Sequence, residues 1–254
     1  MRTREEQEAI NKACKYHPNS TEELQKLGND TEVKLGEIDT SQITDMSYLF
    51  EVSKRKRTDF SGIETWDVSN VTDTSGMFTR CEKFNQDLNT WDVSNVKIME
   101  SMFWGCHQFN QDISSWDVSN VKDMRLMFYR CLNFNQDIGS WNVAKVSNMR
   151  GMFVDCKKFN QDISKWDTSN VKDMYGLFYD CKSFNQNLND WVIRENCNCS
   201  NSFKGSNLSL ENVKDAFTKE QLLECGSEKI IDALNNEKEQ VEVQKVTVKQ
   251  GRGR

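Results

Sequence analysis

Residues 109–133 read FNQDISSWDVSNVKDMRLMFYRCLN, and this unit returns every 25 residues along most of the chain. Trp66, Trp91, Trp116, Trp141, Trp166 and Trp191 mark the period. Phe78, Phe103, Phe128, Phe153, Phe178 and Phe203 each follow a Trp by twelve positions. Three residues further on stand Cys81, Cys106, Cys131, Cys156 and Cys181, and then Phe84, Phe109, Phe134, Phe159 and Phe184, each opening the run FNQ. A divergent copy, IDTSQITDMSYLF from Ile38 to Phe50, lies 28 residues ahead of the next one. The last copy has Val192 where Asp is expected and Ser206 where Cys is expected. Decay at both ends is how terminal repeats of an array look. A unit this short cannot bury its own aromatic face, so neighbouring units must stack.

Within each unit the pattern changes period. FNQDI is short, alternating and compatible with a strand, whereas Val121, Met124, Phe128 and Cys131 are spaced 3, 4 and 3, one face of a helix. Ser119 or Asn120 would cap that helix, with Asp123 at its positive end. The expected fold is therefore an α/β repeat solenoid: a right-handed, leucine-rich-repeat-like stack of about seven strand-turn-helix coils spanning 38–206. Residues 1–37 are expected to form an N-terminal helical cap, with one helix over 3–15 and a second, capping-box helix after Ser20. Residues 207–254 are expected to form a C-terminal cap of two helices, followed by the strand-like VEVQKVTVK and a GRGR tail.

Only 37% of the 254 residues are hydrophobic, yet seven Trp and fourteen Phe exclude a disordered chain. No run approaches the roughly 18 apolar residues of a membrane span, and the N-terminus shows no apolar signal segment. A net charge of −6 argues against nucleic acid as partner. Five cysteines at one repeat position, flanked by core Phe, read as small buried free thiols, which favours a reducing compartment and a cytoplasmic location. Cys197 and Cys199 have the wrong spacing for structural zinc, and the repeated Asp columns lack the glycine loops of calcium-binding repeats. Neither Cys106–His107 nor His17 supplies a nucleophile–base geometry, so no catalytic residue, cofactor or metal is expected. The Asn and Gln columns of FNQ read as amide ladders satisfying buried backbone, and the run Lys54-Arg55-Lys56-Arg57 as a solvated loop.

The pattern MFxxCxxFNQDIxxWDVSNVxxM resembles the BspA-like leucine-rich-repeat family, known also from mycoplasma-type surface lipoproteins, over roughly residues 36–206. The resemblance implies a non-enzymatic, protein-binding array, often displayed on bacterial surfaces, so a surface adhesin is one alternative to an intracellular adaptor or inhibitor; a structural, self-assembling solenoid whose coil ends pair is the other.

Function is expected where the repeat varies. One outward column holds Ser75, Glu100, Arg125, Arg150 and Tyr175; a second holds Thr79, Trp104, Tyr129, Val154 and Tyr179. Beside it run Arg80, Gly105, Arg130, Asp155 and Asp180. Arg80, Trp104, Arg125, Tyr129, Arg130, Arg150, Tyr175 and Tyr179 are residue types enriched at binding hot spots, and together they form the candidate partner-binding patch of a monomer.

Overall fold

The computed structural model describes residues 3–50 and 57–238. VEVQKVTVK, the GRGR tail and Lys54 to Lys56 lie outside the described residues. The repeats stack in register. Asp45, Asp73, Ile98, Asp123, Asn148, Asp173 and Asn198 are joined in one continuous series of parallel bridges, one residue per coil.

The expected α/β coil, strand-turn-helix in the leucine-rich-repeat manner, is overturned. Among the described residues no strand exceeds an isolated bridge, and the repeats contain no α-helix. The reason lies in where the backbone N–H groups go. In the coil around Phe103, the N–H groups of Met102, Trp104 and Cys106 close tight turns onto Met99, Ser101 and Phe103, at 3.3, 3.0 and 2.9 Å. The alternate N–H groups, of Ser101, Phe103 and Gly105, donate to Arg125, Met127 and Tyr129 of the next coil at 2.9, 3.0 and 2.7 Å. Two left-handed positions per coil make this alternation possible. Gly76, Ser101, Leu126, Gly151 and Gly176 form one column, and Arg80, Gly105, Arg130, Asp155 and Asp180 the other, with φ between 55° and 74°. Ser101 has the smallest angle of the first column, φ 55°. An α-helix tolerates neither positive φ nor donation out of the helix. The 3-4-3 spacing of buried residues arises here from successive turns.

FNQDI is likewise no strand. Asn110 N–H donates to the side-chain oxygen of Asn85 at 2.9 Å, and Gln111 Nε2 to the Asn85 carbonyl at 3.0 Å. The same two bonds join Asn135 and Gln136 to Asn110, both at 2.8 Å. The amide ladder exists, but it runs along the half-exposed surface and takes the place of a backbone rung. Asn120, expected as a helix cap, donates Nδ2 to the Ser94 carbonyl of the preceding coil at 2.8 Å.

The core is a set of aligned columns. Phe103 stacks on Phe128 and Phe128 on Phe153, with centroids 5.8 and 5.7 Å apart, and Phe128 nests on Phe134 of its own coil at 4.1 Å. Trp141 is buried, and its indole N–H donates to the Ile113 carbonyl at 3.1 Å. The cysteine column is free and buried; Cys131 and Cys156 donate S–H to Phe103 and Phe128 carbonyls at 3.0 and 2.9 Å. Burial raises the Cys131 and Cys156 pKa well above the ordinary thiol value, so these thiols are inert packing.

Both ends of the stack are closed by helices. Helix α1 (Arg4–Ala13) starts at a Thr3–Glu6 capping box and buries none of its residues. Helix α2 (Thr21–Asn29), capped by Ser20, covers the first coil. In interior coils the carbonyls of Asp73, Ser75 and Met77 accept N–H groups of the coil before. Their counterparts in the first coil, Asp45, Ser47 and Leu49, have no preceding coil. Thr21, Gln25 and Asn29, spaced four apart on one face of α2, donate side-chain groups to those three carbonyls at 2.7, 3.4 and 2.9 Å. At the opposite end the unpaired groups are N–H: Asn201 and Phe203 donate to Glu224 and Cys225 carbonyls at 2.9 and 3.0 Å. Those acceptors are carbonyls at the C-terminus of helix α3 (Lys219–Glu224), which a helix leaves unbonded. A further helical run occupies 228–238.

Arg57 departs from the solvated loop expected of its basic run. It is buried, with Nε on the Gly28 carbonyl at 2.7 Å and Nη2 on the carbonyls of Asp30 and of Val33, the latter at 2.6 Å. The guanidinium thus ties the Gly28 carbonyl in the last turn of α2 to the carbonyls of Asp30 and Val33 just beyond it.

Candidate interaction face

The turn run that pairs successive coils also carries the variable columns. Because every second N–H is tied to the next coil, the side chains between them stand on a backbone bonded on both sides. Trp104, Tyr129, Tyr175, Tyr179 and Arg125 are half-buried, and Arg80, Arg130 and Arg150 are exposed.

Their contacts run from coil to coil. Trp104 meets Tyr129 edge-on at 5.4 Å, and the Arg80 guanidinium lies over the Trp104 ring at 5.8 Å. Arg150 lies over Tyr175 at 4.3 Å, and Lys204 over Tyr179 at 5.9 Å. Each pairing fixes a long cation against a ring, worth about 0.5–1 kcal/mol at an exposed site. Arg125 is engaged differently: it forms an ion pair with Glu100 and lies 3.7 Å from Asp123. Arg130 lies 3.7 Å from Asp155, which also pairs with Lys157. The patch is therefore braced internally, with opposite charges from neighbouring coils neutralising much of its arginine.

Tyr48 was missed from sequence. It is half-exposed at 50%, and its ring lies over Gly76, where an added Cβ would sit 2.5 Å from it. Aligning SYLF with SGMF across the 28-residue step places Tyr48 at the position of Gly76, the signal that could have found it. Lys204 extends the same column beyond Tyr179 and was also missed.

Elsewhere, a polar groove of about 1160 Å³ runs between α1 and the Trp66–Asn70 turn. Gln7 Nε2 and Asn11 Nδ2 cross it to the Thr65 carbonyl and to Asp67 at 3.0 and 3.1 Å. His17 Nδ1 lies 3.1 Å from Asp39, while the nearby Cys14 thiol donates to the Ile10 carbonyl at 3.4 Å. Burial, then the Asp39 charge, raises the Cys14 pKa, the opposite of thiol activation. Among the described residues no group of three His, Cys, Asp or Glu side chains could hold a metal ion. Nor is any described helix long and apolar enough to cross a membrane.

A family model described as "Mycoplasma protein of unknown function, DUF285" matches residues 20–131 and again 111–216. The chain belongs to the DUF285 family. The two overlapping matches cover the stacked repeats of this DUF285 protein together with α2, so the mycoplasma-type resemblance holds at the level of the family. No curated protein and no solved structure matched.

Proposed function

We propose that this DUF285 repeat protein is a non-catalytic recognition module that holds another protein on its turn-run face. The observation that carries this reading is the ring-and-cation series Arg80–Trp104–Tyr129 and Tyr179–Lys204 on an otherwise repetitive scaffold. The Trp and Phe columns of the core and the Asn column of the ladder keep one residue type, while these positions change from coil to coil. Rigid aromatic side chains with few rotatable bonds lose little entropy on binding, which suits them as anchors. The inert thiol column and the unactivated Cys14 favour binding over nucleophilic chemistry. Helices closing both ends favour a monomer, since α2 and the C-terminus of α3 take up rungs that the terminal coils would otherwise offer to a second copy.

The test is affinity capture from native lysate with the wild type and with a Trp104→Ala, Tyr129→Ala, Tyr179→Ala variant whose fold is verified by circular dichroism. A partner retained by the first and lost by the folded second supports the reading. Identical captures overturn this face as the site.

A further inference from the structure

Charge on the turn-run face is sorted by depth. From the second coil onward the face comprises 72–80, 97–105, 122–130, 147–155, 172–180 and 197–205. Every fully exposed charged side chain in these stretches is a cation. Arg80, Arg130, Arg150 and Lys204 stand on the outward columns, and Lys97, Lys122 and Lys172 beside the bridge series. The carboxylates of the same stretches, Asp73, Glu100, Asp123, Asp155, Asp173 and Asp180, are all half-buried. Each of these consecutive coils thus presents an outward cation, on a chain whose net charge is −6. Exposed carboxylates such as Asp87, Asp112, Asp137 and Asp162 lie instead on the FNQD run.

Two of the cations have no ionic partner. Arg150 and Lys204 lie over the rings of Tyr175 and Tyr179, which share one coil, and neither is ion-paired among the described residues. The core indoles donate to carbonyls, as Trp116 and Trp141 do at 3.1 Å. Among the described residues the Trp104 indole and the hydroxyls of Tyr175 and Tyr179 donate to none. The face therefore offers positive charge and donors, and what would complement it is negative and rich in acceptors. Resting on the reading of this face as a binding site, we propose that its occupant is an acidic segment of the partner protein, laid along the stack with its carboxylates on Arg150, Lys204 and the lysine edge.

A guanidinium seated on a ring still directs its N–H groups outward in the plane that a carboxylate meets. Successive core rings are 5.8 and 5.7 Å apart, so the series of cations is matched by about nine extended residues at ~3.3 Å each. A segment of that length meets the basic face alone. Nucleic acid or an anionic membrane extends past it and meets the negative field of the whole molecule.

The experiment titrates the full chain, by calorimetry, with a synthetic peptide of about nine residues alternating Glu and Tyr. The same peptide with Lys for Glu, a single-stranded DNA oligonucleotide and phosphatidylserine vesicles are titrated beside it. The Glu peptide should bind, the Lys peptide should not, and affinity should fall about tenfold between low and high salt. It should fall about tenfold again in Arg150→Gln, Lys204→Gln, with the fold verified by circular dichroism, and stay near wild type in Arg150→Lys, Lys204→Arg. No binding of the Glu peptide, equal binding of the Lys peptide, an unaltered glutamine variant, or tighter binding of DNA or vesicles overturns the proposal. Failure of the acidic occupant is distinguishable from failure of the face. A lysate partner kept by the glutamine variant but lost by the Trp104, Tyr129 and Tyr179 alanine variant retains the face and removes the acidic occupant.

Discussion

Asn29 Nδ2 donates to the carbonyl of Leu49 at 2.9 Å, in the place that a backbone N–H fills in every later coil. The same nitrogen bonds the Gln25 carbonyl at 2.7 Å, so one side chain ties helix to coil. Asn29→Leu keeps the volume and removes both bonds. It should cost about 1–3 kcal/mol in urea denaturation, as a half-buried carbonyl loses its partner. An unchanged midpoint would mean that water replaces the amide.

The indole bonds and the phenylalanine stack make separable contributions. Trp141→Phe deletes the donor to Ile113 while keeping most of the apolar bulk, and should cost about 1–3 kcal/mol. Phe128→Ala opens a void between two stacked rings and should cost about 3–5 kcal/mol. If Trp141→Phe proves as costly as Phe128→Ala in the same assay, packing rather than the hydrogen bond is what the indole supplies.

Arg57 gives a sharper test of charge type. Arg57→Lys retains the charge but cannot reach the Gly28, Asp30 and Val33 carbonyls with one fork. Both Arg57→Lys and Arg57→Met should lower thermal stability by several degrees, through about 2–4 kcal/mol of lost carbonyl partners. A lysine variant as stable as the wild type would show that the charge alone suffices.

Glycine tolerance should follow φ and space together. Gly62 has φ 93°, and an added Cβ would sit 2.4 Å from the Gly36 nitrogen. Gly176 has φ 62° but meets nothing nearer than 3.7 Å. Gly176→Ala should cost about 1–2 kcal/mol from the left-handed backbone alone. Gly62→Ala should cost clearly more or prevent folding, as seen by circular dichroism and thermal melting. Equal effects would remove the steric argument.

Acid should loosen the turns. Asp112 and Asp162 are held below the usual carboxylate range by the backbone N–H and then the hydroxyl of Ser114 and Ser164; Asp117 and Asp167 are held down by Ser119 and Ser169, hydroxyl first. A depressed folded-state pKa gives stability that is complete above the unfolded value near pH 4 and is lost as pH falls through the lower, folded values. Asp123 acts in the opposite sense, since burial raises it. Urea midpoints should therefore fall below about pH 4, and Asp→Asn changes at 112, 117, 162 and 167 should flatten that decline. An acid limb unchanged in the fourfold variant would place the effect elsewhere.

The register and the core columns were legible because aromatic positions recur at a fixed interval. The local conformation was not. Val121, Met124, Phe128 and Cys131 are spaced as on a helix, but residues such as Leu126 and Arg130 adopt φ of 57° and 58°, which nothing in their side chains announces. Gly76, Gly151 and Gly176 were the visible hint, occupying three positions of the left-handed column. Asn110 was read as a ladder residue, but its exposure depends on which edge of the coil carries backbone pairing. The outward columns were legible as variable positions; their ion pairs, such as Arg130 with Asp155, depend on which coil each side chain leans toward.

The bonds that alternate out of the turns have a direction: backbone N–H groups of this run reach forward, as from Phe103 to Met127, while the indole of Trp141 and the thiol of Cys131 reach back. Cutting the chain between two coils would therefore create two unlike faces, each carrying its own pattern of donors and acceptors. Each would complement the other and neither would match a copy of itself. A severed molecule is thus set to rejoin in a single orientation, as a split protein that reassembles from its halves.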